Sequence, residues 1–258
     1  MKRASRSMYI AAVLSTLVLI VVAAYLGFSN LPRGDCEAPM PATDLRHCSF
    51  AGYHKPGLNL ENARLDGVDL SNARIDGCTL SGASMERANL SWASLVQCTI
   101  IEADLSHANL FHATFDEGRV DGSLFIQANM FGANFNEVQG LKANFTRAYM
   151  KDIAMEQGNF SGSSFYRAFM QRAVLIGSRL RNTNLAVTVL TGAALEGADL
   201  TQANLSQALI NGASLNQALL IETRLDNARF MHANISDADF RDARGIPPHL
   251  QEMLARRQ

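Results

Sequence analysis

The chain has 258 residues, a formal net charge of −1, and 7% aromatic residues with a single tryptophan, Trp92. A charge so balanced gives no strong overall field for nucleic acid or anionic lipid. Rings this sparse argue against one large conventional core, whereas abundant small and mid-sized apolar residues suit many thin stacked layers.

Met8 to Phe28 is a run of 21 residues without a charge. At about 1.5 Å per residue, a helix of this length crosses a hydrocarbon core of roughly 30 Å. Lys2, Arg3 and Arg6 precede it, so the positive-inside bias predicts a cytoplasmic N-terminus (1–7) and one transmembrane α-helix (8–28). Such a chain would sit in the bacterial inner membrane as a single-pass protein, with everything after residue 28 in the periplasm. A cleaved signal peptide is the competing reading, with Val22 and Ala24 as the small residues of a cleavage site. The apolar run continues through Tyr25, Leu26, Gly27 and Phe28, longer than a usual signal core, which favours the uncleaved anchor. No lipobox-like sequence precedes Cys36, which argues against a lipoprotein.

Residues 29–57 contain Pro32, Pro39, Pro41 and Pro56 and read as a linker followed by an N-terminal cap. Cys36 and Cys48 lie in this exported segment. In an oxidising compartment they could form a disulfide or remain as two thiols.

From residue 58 to 242 the sequence repeats every five residues. Of the 37 positions that are multiples of five from Leu60 to Phe240, all but Gly140 are Leu, Ile, Val, Met or Phe. Two residues before each, the side chain is usually small, as at Ala63, Ala88 and Ala203; Leu58, Val68, Val138 and Ile153 depart from this. Between the two lies often Asn or Asp, as in Ala88-Asn89-Leu90 and Ala103-Asp104-Leu105. A period of five fits neither the helical 3.6 nor the strand period of two. It requires a backbone that turns a corner every five residues, with one large and one small residue facing inward on each side. Positions between these pairs, such as Ser106, are expected to be exposed. Asn and Asp suit the bends, where their side chains bond neighbouring amides.

These residues resemble the pentapeptide-repeat family, whose pattern is A-(D/N)-L-X-X. The resemblance implies an all-β solenoid, a right-handed quadrilateral β-helix with four repeats per coil, and at a strand spacing of about 4.8 Å a rod roughly 45 Å long. At Asn136-Glu137-Val138-Gln139-Gly140 a glycine replaces the central apolar residue, so this side is expected either to lack packing or to loop out. Looping out would move every later repeat by one face.

Cys78 and Cys98 both occupy the small inward position, twenty residues apart. Parallel stacked side chains keep their β-carbons about 4.8 Å apart, so buried free thiols are expected. His107 and His112 fall on adjacent faces without further ligands at metal spacing and read as surface histidines. Asp116, Glu117 and Asp121 cluster loosely without a partner for acid–base work. No phosphate loop, nucleophile elbow or triad occurs; the sequence predicts no catalytic residue, no cofactor and no metal site. Residues 243–258 read as a C-terminal cap, a short helix starting near Pro247 and Pro248, with Leu250, Met253 and Leu254 laid over the last coil. In similar proteins this end also mediates dimerisation, which implies a homodimer through it.

Grouping outward positions by twenty puts Trp92, Phe111, Phe131, Tyr149, Phe169, Val189, Leu209 and Met231 on one face, one per successive coil. An unbroken apolar series is more than scatter gives, and large exposed patches mark contact surfaces. The expected function is therefore a non-enzymatic scaffold presenting this face to another envelope protein, with no nucleic acid bound. The alternative is a DNA mimic that inhibits or protects an enzyme such as gyrase, as some similar solenoids do. Residues 58–244 carry 20 acidic and 15 basic residues, a mild excess for imitating duplex DNA.

Overall fold

Every five residues the backbone turns through a type II corner. At most corners the N–H of the small residue bonds back to the carbonyl of the large residue three before it, as in Ala63 to Leu60 at 3.0 Å and Ala108 to Leu105 at 3.1 Å. The third residue of the turn has positive φ, as at Asn62 (56°) and Asp242 (57°), while the residue before it does not. Between corners, the single outward residue pairs in parallel with its equivalent twenty residues on, as in Arg64 with Ser84, Ser84 with Asp104 and Asp104 with Leu124. Four five-residue sides thus make one coil of a β-helix. This computed structural model describes residues 31–256; the uncharged run at 8–28 lies outside the described residues. Among the described residues no helix is long and apolar enough to cross a membrane.

The interior is built as the period requires. Small residues such as Ala103 and Ala128 and large ones such as Leu105 and Phe125 are fully buried in one continuous cluster. Where Ser or Thr takes the small position, its hydroxyl donates to a backbone carbonyl, as Ser178 does to Leu175 and Thr183 to Leu180, both at 2.7 Å. A buried hydroxyl so bonded costs little.

The solenoid starts well before the boundary expected at residue 58. Asp44 pairs with Arg64, Ser49 with Asp69 and His54 with Arg74. Thr43, Leu45, Cys48 and Phe50 already fill inward positions and are buried. Exposed Lys55 breaks the pattern on that side and, with the flanking prolines, hides the first coil from a sequence reading. Ahead of it, Arg33 pairs with Asp44, and a disulfide joins Cys36 to Cys48 with Cα atoms 5.4 Å apart, closing the N-terminal end. At the other end, helix α1 (Pro248–Ala255) starts with Pro248 at its first position, buries Leu250, and packs Met253 and Leu254 against the last coils. His249, also on α1, ties the helix to the rod: its Nε2 accepts the Phe230 N–H at 3.0 Å.

The structure departs from three further expectations. Residues 136–140 do not loop out: Val138 is buried, Gln139 pairs with Arg119 and Asn159, and the register runs on unbroken. Cys78 and Cys98 are joined as a disulfide and are not free thiols. Their Cα atoms lie 4.6 Å apart, within the usual range for a bridge, and the sulfurs can turn toward each other although the β-carbons stack. Ser106 occupies an outward turn position but is buried, because its short side chain sits below the level of Glu86 and Ile126 in the same column of the neighbouring coils.

Candidate protein-binding face

One column of paired residues runs through Asp69, Asn89, Asn109, Asn129, Tyr149, Phe169, Val189, Leu209 and Arg229. Its first part is an amide ladder. Asn89 Nδ2 donates to Asp69 Oδ1 at 3.0 Å, Asn109 to Asn89 at 3.1 Å, and Asn129 to Asn109 at 2.9 Å. From Tyr149 to Leu209 the column is apolar. Where the column is amide, the aromatic series runs in the adjoining turn, through Trp92, Phe111 and Phe131.

The two parts join into one stack. Phe111 lies 5.5 Å from Phe131 with planes 11° apart, Phe131 lies 6.2 Å from Tyr149 at 13°, and Tyr149 lies 5.4 Å from Phe169 at 11°. Trp92 meets Phe111 edge-on at 5.6 Å. Beyond Phe169, Val189 and Leu209 continue the column and line a shallow groove with Val187, Gln207, Asn227 and Arg229. Met231, 57% exposed, stands at its far end. All eight residues therefore share one face.

Phe111, Phe131 and Phe169 are half-buried and not fully on the surface, because each ring covers its neighbours. Trp92 and Tyr149 are exposed. His112, read as an ordinary surface residue, stacks on Trp92 at 4.4 Å with planes 11° apart, whereas His107 is exposed. The twenty-residue spacing between positions 92 and 112 is the signal that could have found it. The corner residues along this face take positive φ, bulky side chains included. Trp92 has φ 60°, and Val187, which is β-branched, has φ 62°.

The other clusters singled out in the sequence have structural partners. Asp116 and Asp121 each accept a backbone N–H from the next coil, of Asn136 and Leu141, both at 2.8 Å. Burial pushes the Asp116 carboxyl above its ordinary range, the Asn136 bond opposes this, and the nearby Glu117 charge adds to it. Glu117 accepts from Gln97 Nε2 at 2.8 Å. Cys36, His47 and Cys48 bring their sulfur and ring nitrogen atoms within 4.8 Å of one another, but both sulfurs are held in the disulfide.

Among known proteins, the family model described as pentapeptide repeats matches residues 42–82, 57–91, 88–125, 170–207 and 208–244. The fold is similar to HetL, a pentapeptide repeat protein involved in heterocyst differentiation regulation in the cyanobacterium Nostoc. That match has 25% identity and a TM-score of 0.51, covering 77% of this chain and 91% of HetL. It is also similar to trypsin-treated QnrB1, a plasmid-mediated fluoroquinolone resistance protein, at 18% identity and a TM-score of 0.55, covering 70% of this chain and 98% of that one. No curated protein sequence matches the chain.

Proposed function

Because the chain belongs to the pentapeptide-repeat family, we propose that it is a non-enzymatic scaffold, anchored by residues 8–28 and presenting its rod to another envelope protein outside the cytoplasm. The observation that carries this reading is the stacked series from Trp92 to Phe169, continued by Val189 and Leu209. Aromatic anchors commonly supply most of an interface's binding energy. A rigid rod also holds them in fixed register, which lowers the entropy lost on binding.

The DNA-mimic alternative draws only on the family resemblance. Imitating a duplex requires a strong acidic excess, and residues 58–244 carry only 20 acidic against 15 basic residues.

Affinity capture from solubilised membranes tests the reading, comparing the full-length protein with F111S/F131S/F169S. The same proteins captured by both would sink the aromatic face as the contact surface. A reporter fused after Gln258 tests the topology: activity confined to the cytoplasm would overturn the exported placement and revive the mimic.

A further inference from the structure

Residues 58–244 carry 20 acidic and 15 basic residues, yet the aromatic face reverses that balance. Three columns of this face, which run in steps of twenty through 67–227, 69–229 and 71–231, hold five basic residues and one acidic, and the column through Trp92 adds the paired Asp152 and Arg172. The acid of the three columns is Asp69, ahead of the rings and engaged by Ser71 N–H and Asn89 Nδ2. Arg87 pairs with Glu86 at 2.7 Å.

Arg147, Lys151 and Arg167 are different. They surround Tyr149 and Phe169, and among the described residues none forms an ion pair. Asp152, next to Lys151, is paired with Arg172 at 2.6 Å, and the Lys151 charge also helps to hold its carboxyl below the ordinary range. Lys151 lies over the Phe131 ring at 5.9 Å, and Arg167 over Tyr166 at 5.2 Å. Arg147 and Arg167 occupy one column in adjacent coils, both exposed. Like charges side by side at a coil spacing of about 4.8 Å oppose folding. Ring contacts hold Lys151 and Arg167 in place without neutralising them; the juxtaposed charges of Arg147 and Arg167 are what an anionic partner would offset.

The rings favour the same kind of partner. Stacked within 13° of parallel from Phe111 to Phe169, they cover one another's faces and turn their edges outward. Ring edges carry the positive part of the quadrupole and suit carboxylate and carbonyl oxygens. Covered faces are poor platforms for nucleic-acid bases, which need an open ring to stack on. The adjoining groove of Val187, Val189 and Leu209 suits aliphatic side chains.

The geometry points to an acidic polypeptide segment, with carboxylates interleaved with aliphatic residues, lying along the rod over Phe131, Tyr149 and Phe169. Its carboxylates meet Arg147, Lys151 and Arg167, and its apolar side chains enter the groove. This rests on the partner-binding reading and adds the partner's chemistry.

The probe is a fluorescein-labelled peptide of repeating Glu-Glu-Leu, titrated with the full-length protein in detergent and followed by anisotropy. Binding is expected, weakening as salt rises. R147E/R167E should weaken it by at least about tenfold, while R147K/R167K retains most of it. Circular dichroism checks that the charge-reversed rod still folds. An absent signal, or equal binding by R147E/R167E, overturns the inference. So does tighter binding of oligothymidylate or of phosphatidylglycerol vesicles. If membrane capture needs Phe111, Phe131 and Phe169 but is unchanged in R147E/R167E, the acidic partner is excluded while the scaffold reading stands.

Discussion

The ring of Phe160 fills the space that a side chain at Gly140 would need. A Cβ placed on Gly140 would lie 2.8 Å from Phe160 Cδ1 and 3.1 Å from Val120 Cγ2, and one on Gly158 would lie 2.5 Å from Phe160 Cε2. Two glycines, at a large and a small inward position, make room for one ring. Gly140→Leu would restore the repeat pattern, yet it should destabilise the rod by roughly 1–3 kcal/mol through overpacking. Chemical denaturation measures this; a midpoint at or above wild type would show that the ring can move aside.

Val187 is expected to be a site of easy stabilisation. Left-handed backbone costs an L-residue about 1–2 kcal/mol, and Asn tolerates it better than a β-branched side chain. Val187→Asn should therefore raise the melting temperature, offset in part by lost apolar contact in the groove. A lower melting temperature would mean that the contact outweighs the strain.

The N-terminal coil should weaken in acid. Hydrogen bonds from the Arg46 side chain hold the Asp44 carboxyl at about 2, below the unfolded value of about 3.9. A depressed carboxyl stabilises the fold above its unfolded pKa, and that contribution is lost as pH falls through the folded value. Asp44→Asn should thus melt lower than wild type near neutral pH, and the two should converge as pH falls from about 4 to about 2. The pair is exposed, so salt should shrink the difference. Parallel melting curves across the whole acid range would rule the linkage out.

Two sets of phenylalanines should separate binding from folding. The inner rings stack tightly, Phe115 on Phe135 at 4.6 Å and Phe145 on Phe165 at 4.9 Å, and all are buried. Replacing Phe115, Phe135 and Phe165 by serine should unfold the rod, at roughly 3–5 kcal/mol for each ring. Replacing Phe111, Phe131 and Phe169 should cost less, about 0.5–1.5 kcal/mol for each ring pair lost, and leave a folded rod with weakened partner capture. Comparable melting temperatures for the two triple variants would contradict the division into inner and outer rings.

The five-residue period made the inward positions legible by counting, and the four repeats per coil implied by the family resemblance placed the band on one face. What counting missed depends on side-chain shape. The fate of Gly140 turned on Phe160 filling the gap from the next coil, and the sequence shows no such reach between coils. The bond between Cys78 and Cys98 depends on sulfur rotation, which β-carbon spacing does not capture. The burial of Ser106 and the half-burial of Phe111 come from neighbours one coil away, taller in the first case and stacked in the second. The early start of the solenoid was hidden by Lys55 in an inward register and by the prolines around the first coil.

The pairing of each residue with one twenty positions on separates reach from azimuth. Deleting twenty residues ahead of the rings would shorten the rod by one strand spacing of about 4.8 Å and leave each later side chain pointing as before. Deleting five between Trp92 and the later rings would turn everything downstream by one side, carrying Tyr149 and Phe169 around a corner from Trp92. Whole coils thus set how far the aromatic face stands from the N-terminal end, and single repeats set the direction in which it looks. Insertions and deletions that preserve the face should therefore come in multiples of a coil.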